Sequence, residues 1–364
     1  MGIVVTSFLK VSNFLFRAKR KALHTFKTSL RPSEIFLRNM KQILSSQRLT
    51  SVDIGGAIDL QPHWYKILGN SDFHIFEPHP RSYEDLKTKY GQSLWKDHFH
   101  IYQTALSGAG GKRTLSMTNG PTGSTIIPIN FDSPYIDRKD ASLFPLKNIE
   151  IDTYTLDQAL SQYQVKNVDL IKLDIQGADL EVLKGLGGEK VQNLLCFEME
   201  VHLHDTYVGG TNLTEVSQFA MENDFELFDV RVARGYIMRN GKSEELKNML
   251  GVKEYSPSVS AKSWEFDVIY FKKPNRLLKG KNCADLRRLI ASYCVYNFFM
   301  EAVGLAKEAQ ESGIFSSPET SEIIGAVKAM KTCMDRELKG YFSTLNGQKN
   351  MNWGQYMWMH YPST

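Results

Sequence analysis

The chain is short of cysteine. Its four, Cys196, Cys283, Cys294 and Cys333, stand far apart among 364 residues, with no CxxC pair and no Cys/His cluster. That spacing argues against a disulfide framework and against a zinc site, and it fits a reducing compartment. Long apolar runs are missing too, since none reaches the roughly 20 residues of a membrane-spanning helix. The first residues lack the apolar core and small-residue cleavage site of a secretory leader. A cytoplasmic protein is the expectation. There is no internal repeat, and no complete GxGxxG, which disfavours a nicotinamide-dependent oxidoreductase.

What is there suits a globular protein: 42% of residues are apolar and 23% charged. The net charge of +4 is unevenly spread. Residues 1–50 carry ten Lys or Arg against one acid, Glu34, so the remainder is mildly acidic and shows no nucleic-acid footprint. Within this arm Val4, Phe8, Val11, Leu15, Ala18, Ala22 and Phe26 recur at steps of three and four, the pattern of an amphipathic helix. Lys10, Arg17, Arg20, Lys21 and Lys27 lie mostly off that stripe. Residues 1–28 could therefore lie on an anionic membrane surface, or pack on the body or on a second subunit of a homo-oligomer.

From residue 49 strands and helices alternate, which predicts a doubly wound parallel sheet. "LTSVDIGG" reads as a buried strand entering a glycine turn, with a short helix over 60–68. "FHIFE" and "FHIYQTALS" follow as strands, with a helix over 80–90 between them and a hairpin through "GAGGKRTLSM" after. Residues 120–148 read as a long surface loop. "VDLIKLDI" and "LLCFEMEVH" are the next core strands, with helices from 177 and over 212–223, and "FELFDVR" and "WEFDVIYFKK" supply two more strands. Residues 276–340 are helical by pattern and the last 24 an aromatic-rich tail. The resulting division is a basic helical arm (1–48), a domain of alternating strands and helices (49–275) and a helical extension with its tail (276–364).

In an open parallel sheet, ligands bind outside the carboxyl ends of the strands. The first strand ends in Asp53, Gly55, Gly56 and Ala57, small residues that let backbone approach a ligand. The second ends in Glu77 and Pro78; a lone carboxylate there is how nucleotide-binding sheets hold two ribose hydroxyls. The third ends near Ala105 and Leu106, and the fourth in Asp174 and Gln176. A ribose acid without a phosphate-cradling glycine array suits a nucleoside lacking a pyrophosphate. S-adenosylmethionine is such a ligand.

Taken in order, "VDIGG", "FEPHP", "ALS", "GSTI", "TLD", "DLIKLDIQGADLEVLKG" and "FEMEV" resemble the FkbM family of S-adenosylmethionine-dependent methyltransferases, over about residues 50–275. The resemblance implies a Rossmann-like class I methyltransferase sheet and O-methylation, most often of a sugar hydroxyl in a glycan, glycolipid or natural product. Asp59 stands where the family's DxGxxxG pattern has its last glycine. A non-catalytic glycan- or partner-binding protein on the same fold is the alternative, and Asp59 is its main support.

In "FEMEVHLH", Glu198, Glu200, His202 and His204 share parity, so an extended chain turns all four to one face. Parity alone favours a hydrated surface over a metal site, and no metal is assigned. For the acceptor hydroxyl, the reading makes His202 the base, because imidazole titrates near working pH, and gives Asp174 the positioning role. Glu200 is the alternative base.

Overall fold

β1 (Leu49–Ile54) is buried along its length except for half-buried Thr50, so both its faces must be covered. A strand of that kind belongs in the middle of a parallel sheet. The computed structural model, which describes residues 34–57, 59–133, 143–234, 248–249 and 265–345, puts it there. β1 pairs in parallel with β2 (Ser71–Phe76), and β2 with β3 (Phe99–Tyr102). β4 (Ala105–Leu106), β5 (Gly111–Thr118) and β6 (Pro145–Tyr154) form a small second sheet in the order β4-β6-β5. The chain then returns to the main sheet with β7 (Leu170–Leu173), β8 (Cys196–His202), β9 (Phe225–Arg234) and β10 (Glu265–Lys272). The seven strands lie in the order β3-β2-β1-β7-β8-β10-β9, with β10 antiparallel to both neighbours.

Each face carries its own core. On one, Val52, Ile54, Phe76, Ile171, Leu173, Phe197 and Met199 meet α3 (Leu156–Gln162), α4 (Asp179–Lys184), α5 (Gly188–Asn193) and α6 (Leu213–Glu222). Local signals start two of these helices. Thr155 and Gln158 close a capping box on α3, and Asn212 caps α6 through the Glu215 N–H. On the other face, Leu49, Phe73, Ile75, Leu170, Cys196 and Phe271 are covered by α1 (Glu34–Ile43) and α2 (Pro80–Gly91) with a 3-10 turn over Pro62–Ile67. They are joined there by α8 (Cys283–Val295), α9 (Phe299–Glu311) and α10 (Ser317–Leu345), which follow the short α7 (Asn275–Lys279). Phe36, Met40 and Ile43, spaced by four and three, form the buried stripe of α1.

Several elements differ from the sequence reading. The strand read over 99–107 is two: β3 ends at Tyr102, and Ala105 and Leu106 leave the main sheet to pair with Thr153 and Tyr154. Alternation of side chains reports a strand but not its partner. The helix read over 60–68 is a 3-10 turn, and the one read from 177 starts at Asp179. The amphipathic pattern of residues 1–28 lies outside the described residues; of the tail read over the last 24 residues, 341–345 continue α10 and the rest lie outside them.

Candidate active site

A cleft opens at the carboxyl ends of β1, β2 and β7, walled on the far side by β4 and residues 122–126. Its backbone path depends on Gly55. This residue has φ +85°, and a Cβ there would sit 2.1 Å from the Asp174 carbonyl oxygen. The Gly55 N–H donates to the Phe76 carbonyl and the Asp174 N–H to the Ile54 carbonyl, each at 3.0 Å, so the three strand tips are tied together. At Gly56 a Cβ would meet the Ile75 side chain at 2.5 Å. Gly56 therefore serves packing and does not line the cleft.

Of the residues read as cofactor-binding, Gly55, Ala57, Glu77, Pro78, Ala105, Leu106 and Asp174 line this cleft. Glu77 is 4% exposed, and one carboxylate oxygen accepts the His79 N–H at 2.7 Å. Burial pushes its pKa up to about 7. The walls beside it, Phe76, Ala105, Leu106 and Ile126, are apolar. A buried acid with a free oxygen edge beside an apolar slot suits a ribose and a base, and Asp174 can face a cationic centre. These donor types fit S-adenosylmethionine.

Asp53 and Gln176 are placed differently. Asp53 shares the face of Lys172 and Asp174 but lies below the cleft lining, 1% exposed, with Lys172 Nζ 3.9 Å from Oδ1. Burial raises Asp53 to about 7, against the pull of Lys172. Lys172 stands 3.1 Å from Asp174 Oδ2. Burial alone would raise the Asp174 pKa, yet Lys172 and the Gln176 amide hold it below the ordinary value. The carboxylate that ends the buried strand in "KLDIQG" is thus paired by its neighbour two residues back on the same face.

Gln176 adopts φ +60° and turns its amide into a bridge. Nε2 donates to Asp174 Oδ1 at 2.9 Å and to Glu200 Oε1 at 3.1 Å, while Oε1 accepts from the Tyr207 hydroxyl at 2.6 Å. Thr125 holds the Gln176 carbonyl at 2.7 Å. Beyond the bridge, His202 Nε2 lies 3.6 Å from Glu200 and 3.4 Å from Glu265. Asp267 is the cross-strand partner of Glu200. Burial, then the negative charge of Glu265 and Asp174, drives the Glu200 pKa well above its ordinary value. Asp267 is raised likewise, by burial and then by Glu198. Asp174, Glu200 and His202, the three read as catalytic, are therefore in one contiguous polar cluster.

Glu198 turns to the same face but inward. Its Oε2 lies 3.0 Å from His63 Nε2 and accepts the Tyr296 hydroxyl at 3.1 Å. Burial holds His63 down at about 4, so this imidazole stays neutral. Asp59 does not reach the cleft. It is 7% exposed and engaged by Lys89 and the hydroxyls of Tyr65 and Tyr90. Its presence in place of a glycine thus leaves the cofactor cleft alone. The sequence reading missed Lys172, Thr125, Tyr207, Glu265 and Asp267. For Lys172 and for the pair in "WEFDV", the available signal was charge at two-residue spacing inside an apolar strand.

The strand order, the antiparallel β10 and a cleft at the tips of β1, β2 and β7 define a class I S-adenosylmethionine-dependent methyltransferase. The family model described as the methyltransferase FkbM domain matches residues 53–234, and the chain belongs to that family. Its cofactor is S-adenosylmethionine. Similar solved structures include precorrin-6y C5,15-methyltransferase from Geobacter metallireducens, at 9% identity and TM-score 0.29 over 66% of this chain and 88% of that one. They also include M. capricolum TrmK in complex with S-adenosylhomocysteine, at 7% identity and TM-score 0.29 over 81% and 96%. The glycopeptide N-methyltransferase MtfA complexed with S-adenosylmethionine matches at 7% identity and TM-score 0.26 over 65% and 87%. Similarities this low carry no argument about substrate. No curated protein matches the chain. Among the described residues, no helix is long and apolar enough to cross a membrane.

Proposed function

We propose that the protein O-methylates a sugar hydroxyl of a glycan, glycolipid or natural product. The observation that carries this reading is the polar cluster beyond Asp174, where Gln176, Glu200, His202 and Tyr207 gather hydrogen-bonding groups beside the cofactor cleft. Such a lining suits an acceptor rich in hydroxyls. The cofactor's methyl group is already activated, so the chain's main task is alignment. The hydroxyl oxygen forms a bond to the methyl carbon as the carbon–sulfur bond breaks, leaving a methyl ether, S-adenosylhomocysteine and one proton. Asp174, Glu200 and His202 are the groups that align the hydroxyl for transfer. The parts are the arm 1–48, the domain 49–275 and the extension 276–364, with residues 1–28 making peripheral contact at an anionic inner membrane face or a second copy of the chain.

Incubation with methyl-labelled S-adenosylmethionine and a panel of glycans and glycolipids tests this. Label is expected in a methyl ether that survives mild base, and not with Asp174→Asn. Transfer to an amine or a carboxylate instead would overturn the O-methylation of a sugar.

A further inference from the structure

Two antiparallel strands bring Glu200, His202 and Glu265 to one point. Glu200 and His202 are two residues apart on β8 and share a face, and Glu265 on β10 is the direct register partner of His202. One ligand atom from each lies within 4.8 Å of the others. His202 Nε2 is 3.4 Å from Glu265 Oε2 and 3.6 Å from Glu200 Oε1. Those separations exceed the roughly 2.7–2.9 Å of a charge-assisted hydrogen bond. They match the edges of a coordination polyhedron: donors about 2.1 Å from a tetrahedral ion are about 3.4 Å apart. The side chains are 11%, 5% and 7% exposed in chain order, so this is not an acidic patch in free solvent.

A second observation comes from the imidazole itself. His202 is 6% exposed, and its Nδ1 is buried with no hydrogen-bond partner among the described residues. The Tyr207 ring stands edge-on to it at 5.1 Å. A sealed Nδ1 leaves Nε2 as the working nitrogen, and Nε2 is aimed between the two carboxylates.

We infer that Glu200, His202 and Glu265 form a divalent cation site that binds an acceptor hydroxyl next to the methyl group. Two carboxylate oxygens and one imidazole suit a divalent transition-metal ion, hard Mn2+ through the carboxylates or borderline Zn2+ through all three. Gln176 ties the site to the cofactor, because its amide spans Glu200 and Asp174. The cation polarises the hydroxyl, whose proton passes to water as the oxygen takes the methyl group. The inference rests on the methyl-transfer reading and assigns His202 Nε2 to the cation, not to the proton.

The test is Mn2+ binding to the chelator-treated full chain, followed by calorimetry and electron paramagnetic resonance, with S-adenosylhomocysteine titrated into the same preparation. The expected result is about one bound Mn2+ with a nitrogen coupling from imidazole in the pulsed spectrum. Glu265→Gln and His202→Ala should each weaken binding by at least about tenfold while S-adenosylhomocysteine affinity holds. The spectrum of the unaltered protein needs no variant and guards against a misfolded one. S-adenosylhomocysteine binding with no Mn2+ binding, or bound Mn2+ without nitrogen coupling, sinks the cation site and leaves the methyltransferase reading standing. Bound Mn2+ with the nitrogen coupling but no methyl transfer to any glycan keeps the site and fails the proposed acceptor.

Discussion

Glu77 carries a pH dependence that can be worked out in sign. Its carboxyl titrates near 7 in the free protein, against an ordinary value of 4.5, because it is buried. Ribose hydroxyls donate to the ionised form, so cofactor binding has to remove the proton. Affinity for S-adenosylhomocysteine should therefore rise with pH, by up to about tenfold per unit below 7, and level off above it. Glu77→Gln should flatten that profile, which titration calorimetry between pH 5.5 and 8.5 would reveal. The same raised values in Glu77 and Asp53 mean that the free fold is favoured below their ordinary pKa values and loses that contribution as pH rises through about 7. Lys172 is the next residue to test. It is buried between Asp53 and Asp174, and Lys172→Met strands both acids, for an expected loss of about 3–5 kcal/mol in denaturant unfolding. An unchanged midpoint would mean that Asp174 is held by Gln176 alone. At this scale the sequence was legible where the strand-end rule applies: Glu77, Ala105, Leu106 and Asp174 all line the cleft. Tyr207 and Glu265 were not legible, because their roles come from packing and strand register with residues at least 31 positions away.

Among the elements, those with a strong local period were readable. The core strands and α6 stand where alternation and helical period put them. The exit of β4 into a second sheet was not readable, because a two-residue strand is defined by its partner Thr153–Tyr154 and has no period of its own. The C-terminal helices looked like an appendage in sequence, yet Leu289, Ile290, Ala306, Val327 and Met330 share one core with strands β1, β2, β7 and β10. Ending the chain after Lys273 would strip that cover from Leu49, Phe73, Ile75 and Phe271. The truncated protein is expected to be insoluble or to bind the dye ANS without a cooperative melt. A soluble, cooperatively melting fragment would show that the sheet closes without these helices. Gly55→Ala belongs to the same scale. Its backbone is left-handed and its Cβ would strike the Asp174 carbonyl, so about 1–3 kcal/mol of strain should appear together with weakened S-adenosylhomocysteine binding.

For the molecule as a whole, charge is the coarse variable. Ten of the 44 Lys and Arg fall in the first 50 residues, with one acid. Deleting residues 1–28 should abolish salt-sensitive flotation with acidic liposomes and leave the melting temperature of the body unchanged. A lowered melting temperature, with flotation retained, would assign the stripe to packing on the body. The small sheet has a different kind of consequence. β4 supplies one wall of the cofactor cleft, and it is bonded through β6 to β5, whose Leu115 lines the same cleft. The other side of that hairpin is open: Lys112 and Glu150 are exposed there and pair with each other. The hairpin is thus a handle attached to the door of the cleft. An antibody fragment gripping its outer surface should slow cofactor exchange by stiffening the wall, without touching a residue that meets the ligand.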